Sequence, residues 1–585
     1  MPGAAPSGRW RAWVVMGAVG WLLAGAVALR LATVLPDVPN RHALPDDAAH
    51  RAIDNLEAAD ALGRGHLGSY ALRLVGRQTW PTVRMSLAAP LHVLGRPARA
   101  LAVENGLSLA LTALLFAVLA VAAQAYARST ASALGVLAIA TPLLLGNRDL
   151  FQQALTGMLE VPAALFTLGA ASAWVASRDT GTIRPWGTAL LGNLLFHTKF
   201  QYGLMFAAAV LALEAVERGR WRRFSGVGKA LLAEARRPLF LGLTALLGAT
   251  TFLAYRAVGR GGIEGTGLFG VQYHLGTSRV PTWLAALSVF LLVELLLWRS
   301  RHALRLRLEP RIRFFWVWLF TPMAAWLLVP FTWRLEVLAD SVRFDSHQAS
   351  STALLERLLY YPRAAWEGWF PPGVGWGVLL LLAATGVAAI RSAFVRRLVI
   401  PFGVLALVEL AMLALLSRSN FQPRLSVNLA PLVALAAGAW VPAVASTRPR
   451  AALAVAASVL LCLGVWTRWQ RPVLIRTLSE GFESTEAGDD CRSAARAYDL
   501  SYGVLVNRTT GGRFQICSLW VAMVTRERGA DVVVRGARND RPGSRVVLVL
   551  TERPEEVGPR EGLIPLEEPR RFGAVWGRPY RTVDP

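Results

Sequence analysis

Charge is scarce in this chain of 585 residues, and so are lysine and cysteine. Charged residues make up 17% of the sequence and hydrophobic residues 54%, whereas soluble domains carry about 25% charge. The three cysteines are too few for a disulfide scaffold. Zinc-type His and Cys spacing is absent, and no glycine-rich loop is followed by the Lys-Ser/Thr pair of a phosphate loop. These deficits exclude most classes of soluble protein.

The apolar residues are grouped into runs that are too long for the core helices of a soluble protein. About 20 such residues cross the hydrocarbon core of a bilayer, and a cleaved signal peptide or a single anchor does not account for so many runs. We therefore predict an all-α polytopic membrane protein with about thirteen transmembrane helices. The predicted spans are 12–35, 101–124, 131–147, 155–177, 187–198, 202–216, 238–258, 281–298, 314–333, 374–391, 398–416, 425–445 and 451–466.

The positive charge lies mainly among these spans. The formal net charge is +24, and from Arg468 onward 19 arginines face 16 acidic residues, so most of the excess precedes that point. This placement argues against a nucleic-acid partner and for contact with anionic membrane lipids. With thirteen spans, the short basic loops all fall on one side, as the positive-inside rule requires. We predict an integral plasma (inner) membrane protein with a cytoplasmic N-terminus and an extracytoplasmic C-terminal domain.

The composition divides the chain into two domains, a transmembrane domain over 1–466, with a long first outer loop at 36–100, and a small extracytoplasmic α/β domain over 467–585. In the second domain, a charged helix is expected around 489–499 and strands are expected at 531–534 and 546–550, before a Pro/Arg-rich extension. Cys491 and Cys517 both belong to it, and an outer compartment permits a disulfide between them.

The first candidate site is an acidic pair, Asp46-Asp47, which follows Pro45 in the first outer loop. Proline followed by acids indicates a helix start, so the pair has a structural interpretation as a cap that complements the helix dipole. The functional interpretation is a carboxylate that removes a proton from an acceptor hydroxyl. Adjacent carboxylates with His50 nearby are also compatible with a divalent metal.

The second candidate group lies around the fourth to sixth spans. Asp149 follows the third span, and Glu160 stands beside Pro162 in an apolar segment, where a carboxylate faces either an aqueous cavity or an ion-pair partner. His197 and Lys199 lie between two short apolar stretches. A lysine there either snorkels to the interface or binds a lipid phosphate.

A basic residue in a short outer loop forms the third candidate. Arg424 precedes the twelfth span. Arginines in short loops are expected mainly on the cytoplasmic side, so an arginine in an outer loop needs another reason, and phosphate binding is one. Glu104 and Glu409 also fall within predicted spans. In the outer segment 334–373, arginines and aromatic residues are typical of a helix lying in the membrane interface.

The order of these features resembles the GT-C superfamily of polyprenyl-phosphate-sugar-dependent glycosyltransferases, especially the family 39 group with protein O-mannosyltransferases and aminoarabinose lipid A transferases. The resemblance covers roughly residues 10 to 445 and depends on Asp46-Asp47, the segment from Ala154 to Pro162, and Thr198-Lys199. Asp47 stands where many relatives have Glu, Glu160 where many have Asp, and Phe200 where a small residue is common.

The resemblance implies a membrane enzyme that transfers a sugar from a polyprenyl-phosphate carrier to a hydroxyl of a lipid, glycan or protein acceptor on the extracytoplasmic side. Asp46 is then the general base, while Asp47 and Glu160 orient the acceptor or a divalent metal, the one cofactor that the acids suggest. Lys199 and Arg424 stabilise the departing phosphate. Two other functions stay open, a flippase or transporter of lipid-linked oligosaccharides and a polysaccharide polymerase or ligase.

Overall fold

The computed structural model is dominated by helices. It describes residues 6–75, 82–95, 99–127, 129–179, 185–216, 229, 231–258, 263–266, 272–275, 279–300, 310–328, 354–371, 373–416, 423–444, 448–498, 503–507, 509, 512–528, 533–536, 546–558 and 563–582.

Among the described residues, the first half of the chain consists mainly of helices and contains one short hairpin. The helices, in chain order, are α1 Pro6–Val34, α2 Asp46–Gly63, α3 Leu67–Val75, α4 Val83–Leu94, α5 Ala100–Ala125, α6 Thr130–Leu145, α7 Arg148–Gln153, α8 Glu160–Asp179, α9 Pro185–Phe196, α10 Phe200–Val216, α11 Pro238–Val258 and α12 Arg279–Arg299. Between α11 and α12, strands β1 Ile263–Thr266 and β2 Gln272–Leu275 pair antiparallel.

The second half continues with helices and ends in a sheet. Its helices are α13 Pro310–Phe315, α14 Thr321–Leu327, α15 Leu354–Trp369, α16 Val374–Arg391, α17 Ala393–Leu416, α18 Ala430–Gly438, α19 Val441–Val444, α20 Arg448–Trp469, α21 Arg471–Ser479, α22 Thr485–Ala497 and α23 Gly512–Glu527. A π-helical turn, Trp316–Phe320, joins α13 to α14, and a 3-10 helix, Pro423–Leu429, precedes α18.

Every predicted span overlaps a helix or a series of short helices among the described residues. By length and composition, five helical segments can cross a membrane: Trp10–Asp37, Ala100–Ala125, Val374–Arg391, Ala393–Ala414 and Arg424–Ala443. The chain is therefore an integral membrane protein. Predicted segment 334–373 contains the expected helix, α15, while its first part lies outside the described residues.

The predicted fourth span is wrong at its start. Instead of a continuous helix from residue 155, a loop runs to Leu159 and α8 begins at Glu160. Gly157 adopts a left-handed backbone with φ +78°, a conformation that glycine reaches without steric cost. Hydropathy does not reveal this turn, because the residues of the loop are apolar and are buried against α5 rather than exposed.

The C-terminal region forms the expected α/β domain. Strands β3 Gly503–Asn507, β4 Val533–Gly536, β5 Val546–Thr551, β6 Leu563–Pro565, β7 Arg570–Phe572 and β8 Val575–Thr582 make one sheet in the order β4-β3-β5-β8-β6, with β7 on β8. β3 is parallel to β4 and β5, and β8 is antiparallel to β5. The expected Pro/Arg-rich extension is thus wrong, because it supplies strands whose Tyr580 is buried with Val549 and Val557.

A disulfide closes the helical layer of this domain. Cys491 in α22 and Cys517 in α23 are bonded, with Cα atoms 4.6 Å apart, which confirms the predicted pairing. Helix α23 also packs along α2 of the first domain. His50 Nδ1 lies 3.3 Å from Gln515 Oε1, and Arg526 Nε donates to Asp60 Oδ2 at 2.7 Å. The two helices therefore run side by side in the same direction, and their first turns adjoin.

Candidate functional site

The acidic pair opens helix α2, as the proline before it suggests. Pro45 is the N-cap residue and has no side-chain capping bond, while its carbonyl accepts from the amides of Ala48 and Ala49 at 2.8 Å. Asp46 and Asp47 are consequently the first two helical residues and not the N-cap. The side chain of Asp46 lies outside the described part of the chain. The side chain of Asp47 does not fold back as a cap but reaches Arg424.

One face of α2 is polar and points into the helical domain. Asp47, Arg51 and Asn55 are spaced by four residues, so they share this face. Asp47 Oδ2 lies 3.3 Å from Arg424 Nη2, Arg51 Nη2 donates to Met158 Sδ at 3.2 Å, and Asn55 Nδ2 donates to Glu104 Oε1 at 2.7 Å. This face of α2 therefore places the Asp47 carboxylate and the Arg51 guanidinium, one helical turn apart, in the same region of the helical domain.

Glu160 enters that region from the opposite side. It is the first residue of α8 and is buried. Its Oε1 lies 2.9 Å from Lys199 Nζ and 3.8 Å from Arg424 Nε, whereas its Oε2 has no hydrogen-bond donor among the described residues. Glu160 thus takes part in an ion pair, as one of the two interpretations predicts, and keeps one acceptor oxygen unused.

Lys199 is held by the turn between α9 and α10. The amide of Lys199 donates to Leu195 O at 2.8 Å, and Thr198 Oγ1 donates to Leu194 O at 2.8 Å. Its ammonium group lies 4.9 Å from the ring centroid of Tyr202 and 3.5 Å from the Tyr202 hydroxyl. Only 11% of the lysine side chain is exposed, so this residue does not snorkel to a water interface.

Arg424 joins the two acids from the 3-10 helix before α18. It contacts Asp47 with one nitrogen and approaches Glu160 with another. The Tyr202 hydroxyl donates to Leu425 O at 2.6 Å, which fixes this 3-10 helix against α10. Asn420 and Gln422, in the loop before Arg424, lie outside the described residues.

Together, Asp47, Arg51, Glu160, Lys199 and Arg424 form what we call the charge cluster. Among the side chains that the structure describes, this cluster holds two carboxylates and three cations. Burial lowers the pKa of Arg51 to about 10, although Asp47 and Glu160 favour its charged form, so the guanidinium stays protonated at neutral pH. Three cations gathered in one group, two of them buried, can attract an anionic ligand, because charges interact strongly where water is excluded.

Two further predicted residues lie outside the contacts of this cluster. The His197 ring packs edge-on against Trp326, with ring centroids 4.6 Å apart. Asp149 sits in α7, where a side chain added at Gly368 would overlap its carboxylate. Burial raises the pKa of Asp149 to about 6, although Arg148 and Arg468 oppose the rise.

The sequence interpretation missed Arg51 and Tyr202. A usable signal for Arg51 was its spacing, because a residue four positions after Asp47 shares the face of a helix. Among the described residues, no three His, Cys, Asp or Glu side chains are grouped closely enough to hold a metal ion. His50, which the metal hypothesis includes, is half exposed and lies 3.7 Å from Asp54.

Comparison with known proteins gives distant structural neighbours. No protein-family model and no curated protein matches the chain. ArnT from Cupriavidus metallidurans, crystallised with undecaprenyl phosphate, superposes with a TM-score of 0.44 at 13% identity over 99% of each chain. The oligosaccharyltransferase AglB from Archaeoglobus fulgidus, in complex with an inhibitory peptide and a dolichol-phosphate, superposes with a TM-score of 0.44 at 12% identity. That match covers 88% of this chain and 63% of AglB.

Proposed function

We propose that this protein is an inverting membrane glycosyltransferase that moves a sugar from a polyprenyl-phosphate carrier to an acceptor hydroxyl. The single observation behind the proposal is the charge cluster, in which the Asp47 carboxylate of α2 adjoins the buried cations Arg51 and Lys199 and the partly exposed Arg424. A lipid phosphate leaving group needs charge stabilisation more than protonation, and preorganised cations provide it in a site without water. The acceptor class, whether lipid, glycan or protein, is left open.

The cations bind the donor phosphate in this mechanism. Lys199 supplies a compact ammonium and Arg424 a planar fork that matches phosphate oxygens, while Arg51 adds charge from α2. The acceptor oxygen attacks the anomeric carbon from the face opposite the phosphate. As that bond forms, the bond between the carbon and the phosphate oxygen breaks, and the lipid phosphate leaves with the electron pair. Inversion at the anomeric carbon follows from this geometry.

The base takes the proton of the attacking hydroxyl. The sequence places this role on Asp46, and the described contacts bring its neighbour Asp47 to the cluster, so we assign the role to Asp47 with Asp46 as the alternative. Arg424 pairs with Asp47 at 3.3 Å. A donor phosphate competes for Arg424 and thereby frees the Asp47 carboxylate to accept the hydrogen bond of the acceptor hydroxyl. Glu160, with its unused oxygen, orients the acceptor.

The orientation across the membrane follows from two features. The short basic loops share one side, and the bonded Cys491 and Cys517 fit an oxidising compartment. The C-terminal domain and α2 are then extracytoplasmic, as is the charge cluster. Alkaline phosphatase fused after Trp469 is expected to be active and a green fluorescent fusion dark. The reverse result places the domain in the cytoplasm and overturns this orientation.

The decisive experiment measures binding of undecaprenyl phosphate to the purified protein in detergent. Lys199→Ala should weaken binding about tenfold or more, since it removes a buried cation from the phosphate. Lys229→Ala is the matched control, because Lys229 is exposed and is the only other lysine in the sequence. Equal affinity in both variants contradicts the proposed phosphate site. Translocation of a lipid-linked sugar without transfer to any hydroxyl would favour the flippase function instead.

A further inference from the structure

Glu104 is a buried carboxylate outside the charge cluster. Its hydrogen bonds lead to α2, which carries Asp47, and to the loop that precedes Glu160. Glu104 lies in α5 and is 1% exposed. Its Oε1 accepts from Asn55 Nδ2 at 2.7 Å and lies 2.9 Å from His92 Nε2, while its Oε2 accepts from Arg84 Nη2 at 2.6 Å. A carboxylate this deeply buried is costly unless it is paired and hydrogen-bonded, and this one has three side-chain partners.

The first branch of this network fixes the rotation of α2. Asn55 shares a face with Asp47, two turns away, so the bond from Asn55 to Glu104 decides which face of α2 points into the helical domain. Successive residues of a helix are separated by about 100°. A rotation by that angle would bring Asp46 to the direction that Asp47 now occupies. The bond from Asn55 to Glu104 therefore supports the rotation at which Asp47 reaches Arg424.

The second branch fixes the loop that leads to Glu160. Arg84 Nη2 also donates to Ser108 Oγ at 3.0 Å, and Ser108 Oγ accepts from the amide of Gly157 at 3.1 Å. One turn further along α5, Thr112 Oγ1 donates to Ala154 O at 3.0 Å. The positions 104, 108 and 112 form one stripe on α5. This stripe therefore holds Ala154 and Gly157 in the loop that precedes Glu160, the first residue of α8.

We propose that Glu104 is a positioning residue that sets the separation and the rotational register of the Asp47 and Glu160 carboxylates. It does not touch the substrate. It acts through Asn55 on α2 and through Arg84, Ser108 and Gly157 on the start of α8. The consequence for catalysis depends on the proposed function, whereas the consequence for the local structure does not.

Hydrogen exchange measured by mass spectrometry separates the two branches. Asn55→Ala should increase exchange in the first turns of α2 and not in residues 154–159, and Ser108→Ala should do the opposite. Glu104→Gln should increase exchange in both segments, because it removes the charge on which Arg84 depends. Glu214→Gln is the control, since Glu214 is also a buried, ion-paired carboxylate but lies near the far end of α10. It should leave both segments unchanged.

Turnover with an undecaprenyl-phosphate-linked sugar gives the functional result. Asn55→Ala should lower kcat by about 10- to 100-fold with KM for the donor nearly unchanged, because small misplacements of catalytic groups are costly. In the Asn55→Ala background, the difference between Asp46→Asn and Asp47→Asn should shrink. A merely structural residue would not change that difference.

Two results are decisive in opposite directions. Wild-type exchange in both segments of the Asn55→Ala and Glu104→Gln variants overturns the positioning role, whatever the activity. If the wild-type protein neither binds undecaprenyl phosphate nor transfers sugar, the proposed function fails, and the exchange pattern still decides the role of Glu104 in the local structure.

Discussion

Helices α8 and α10 carry a group of charges near each end, and the two groups are built differently. At the first end lies the charge cluster. At the other end, Glu214 Oε1 accepts from Trp174 Nε1 at 3.0 Å and from Arg311 Nε at 2.9 Å, and Arg178 Nε lies 3.7 Å away. Arg311 also donates to the carbonyl and the hydroxyl oxygen of Ser177 at 2.9 and 2.7 Å.

The difference lies in the lengths of the contacts between the acids and the arginines. The Glu214 group has short, shared contacts that hold α8, α10 and α13 together. In the charge cluster, Arg424 lies 3.3 Å from Asp47 and 3.8 Å from Glu160, and Glu160 Oε2 has no hydrogen-bond donor within the part of the chain that the structure describes. A buried polar atom left unused is a cost to stability. The same two helices thus hold a compact ion group at one end and an ion group with longer contacts to Arg424 at the other.

The largest expected difference is in turnover. Asp47→Asn keeps the size of the side chain but cannot accept a proton, so kcat should fall by about 10²- to 10⁴-fold. Glu214→Gln should change kcat little. A transfer assay with an undecaprenyl-phosphate-linked sugar makes the measurement, with Asp46→Asn in parallel. Full activity of the Asp47 variant and loss in the Asp46 variant would move the base by one residue; full activity of both would remove the central residue of the mechanism.

The next difference is in the free energy of unfolding, which should fall more when the Glu214 group is changed than when the charge cluster is changed. Arg311→Ala leaves Glu214 without its closest cation and should lower the free energy of unfolding by about 3 to 5 kcal/mol. Arg424→Ala removes longer contacts of a side chain that is 27% exposed, so its loss should be on the order of 1 kcal/mol. Thermal unfolding in detergent compares the two variants. Equal losses would erase the distinction between the two groups.

A third buried carboxylate, Asp149, sharpens the comparison through pH. Its pKa rises from its usual value of 3.8 to about 6, so the folded state holds the proton more tightly than the unfolded state. Stability is then unaffected below about pH 4 and falls as the pH rises to about 6, by at most about 3 kcal/mol. Asp149→Asn should abolish this fall and raise stability at pH 7. An unchanged pH profile in the variant would assign the fall to another group.

The smallest expected effect is stabilisation by the ligand. Undecaprenyl phosphate at about 100 times its Kd should stabilise the wild-type protein by about 2.7 kcal/mol. The Lys199→Ala variant should show less stabilisation at the same concentration, and Arg311→Ala should respond as the wild type does. Identical shifts in all three proteins would mean that the lipid binds elsewhere.

Local signals made part of this molecule predictable. Proline before two acids marked the start of α2, and long apolar runs located the helices. The predicted outer location of the C-terminal domain suggested the disulfide. The proximity of Glu160, Lys199 and Arg424 followed from the prediction that they share one side of the membrane and from the family resemblance.

The remaining features depend on tertiary contacts. The contact of Asp47 with Arg424 depends on the rotation of α2, and on the same face Asn55 bonds to the distant Glu104. The turn at Gly157 could not be predicted, because the residues around it are as apolar as those of a transmembrane segment. Strand β8 was not predicted, because its arginines and its proline are not typical of a strand. It forms because it pairs with β5.

The packing of α23 on α2 has a consequence for biosynthesis. The contacts from His50 to Gln515 and from Asp60 to Arg526 join residues 465 and 466 positions apart. The helix with the acidic pair is therefore made early but receives its outer neighbour only when the last part of the chain has emerged. A chain that stops before α23 leaves this surface of α2 uncovered. This surface of α2 is thus covered only after α23 has been synthesised.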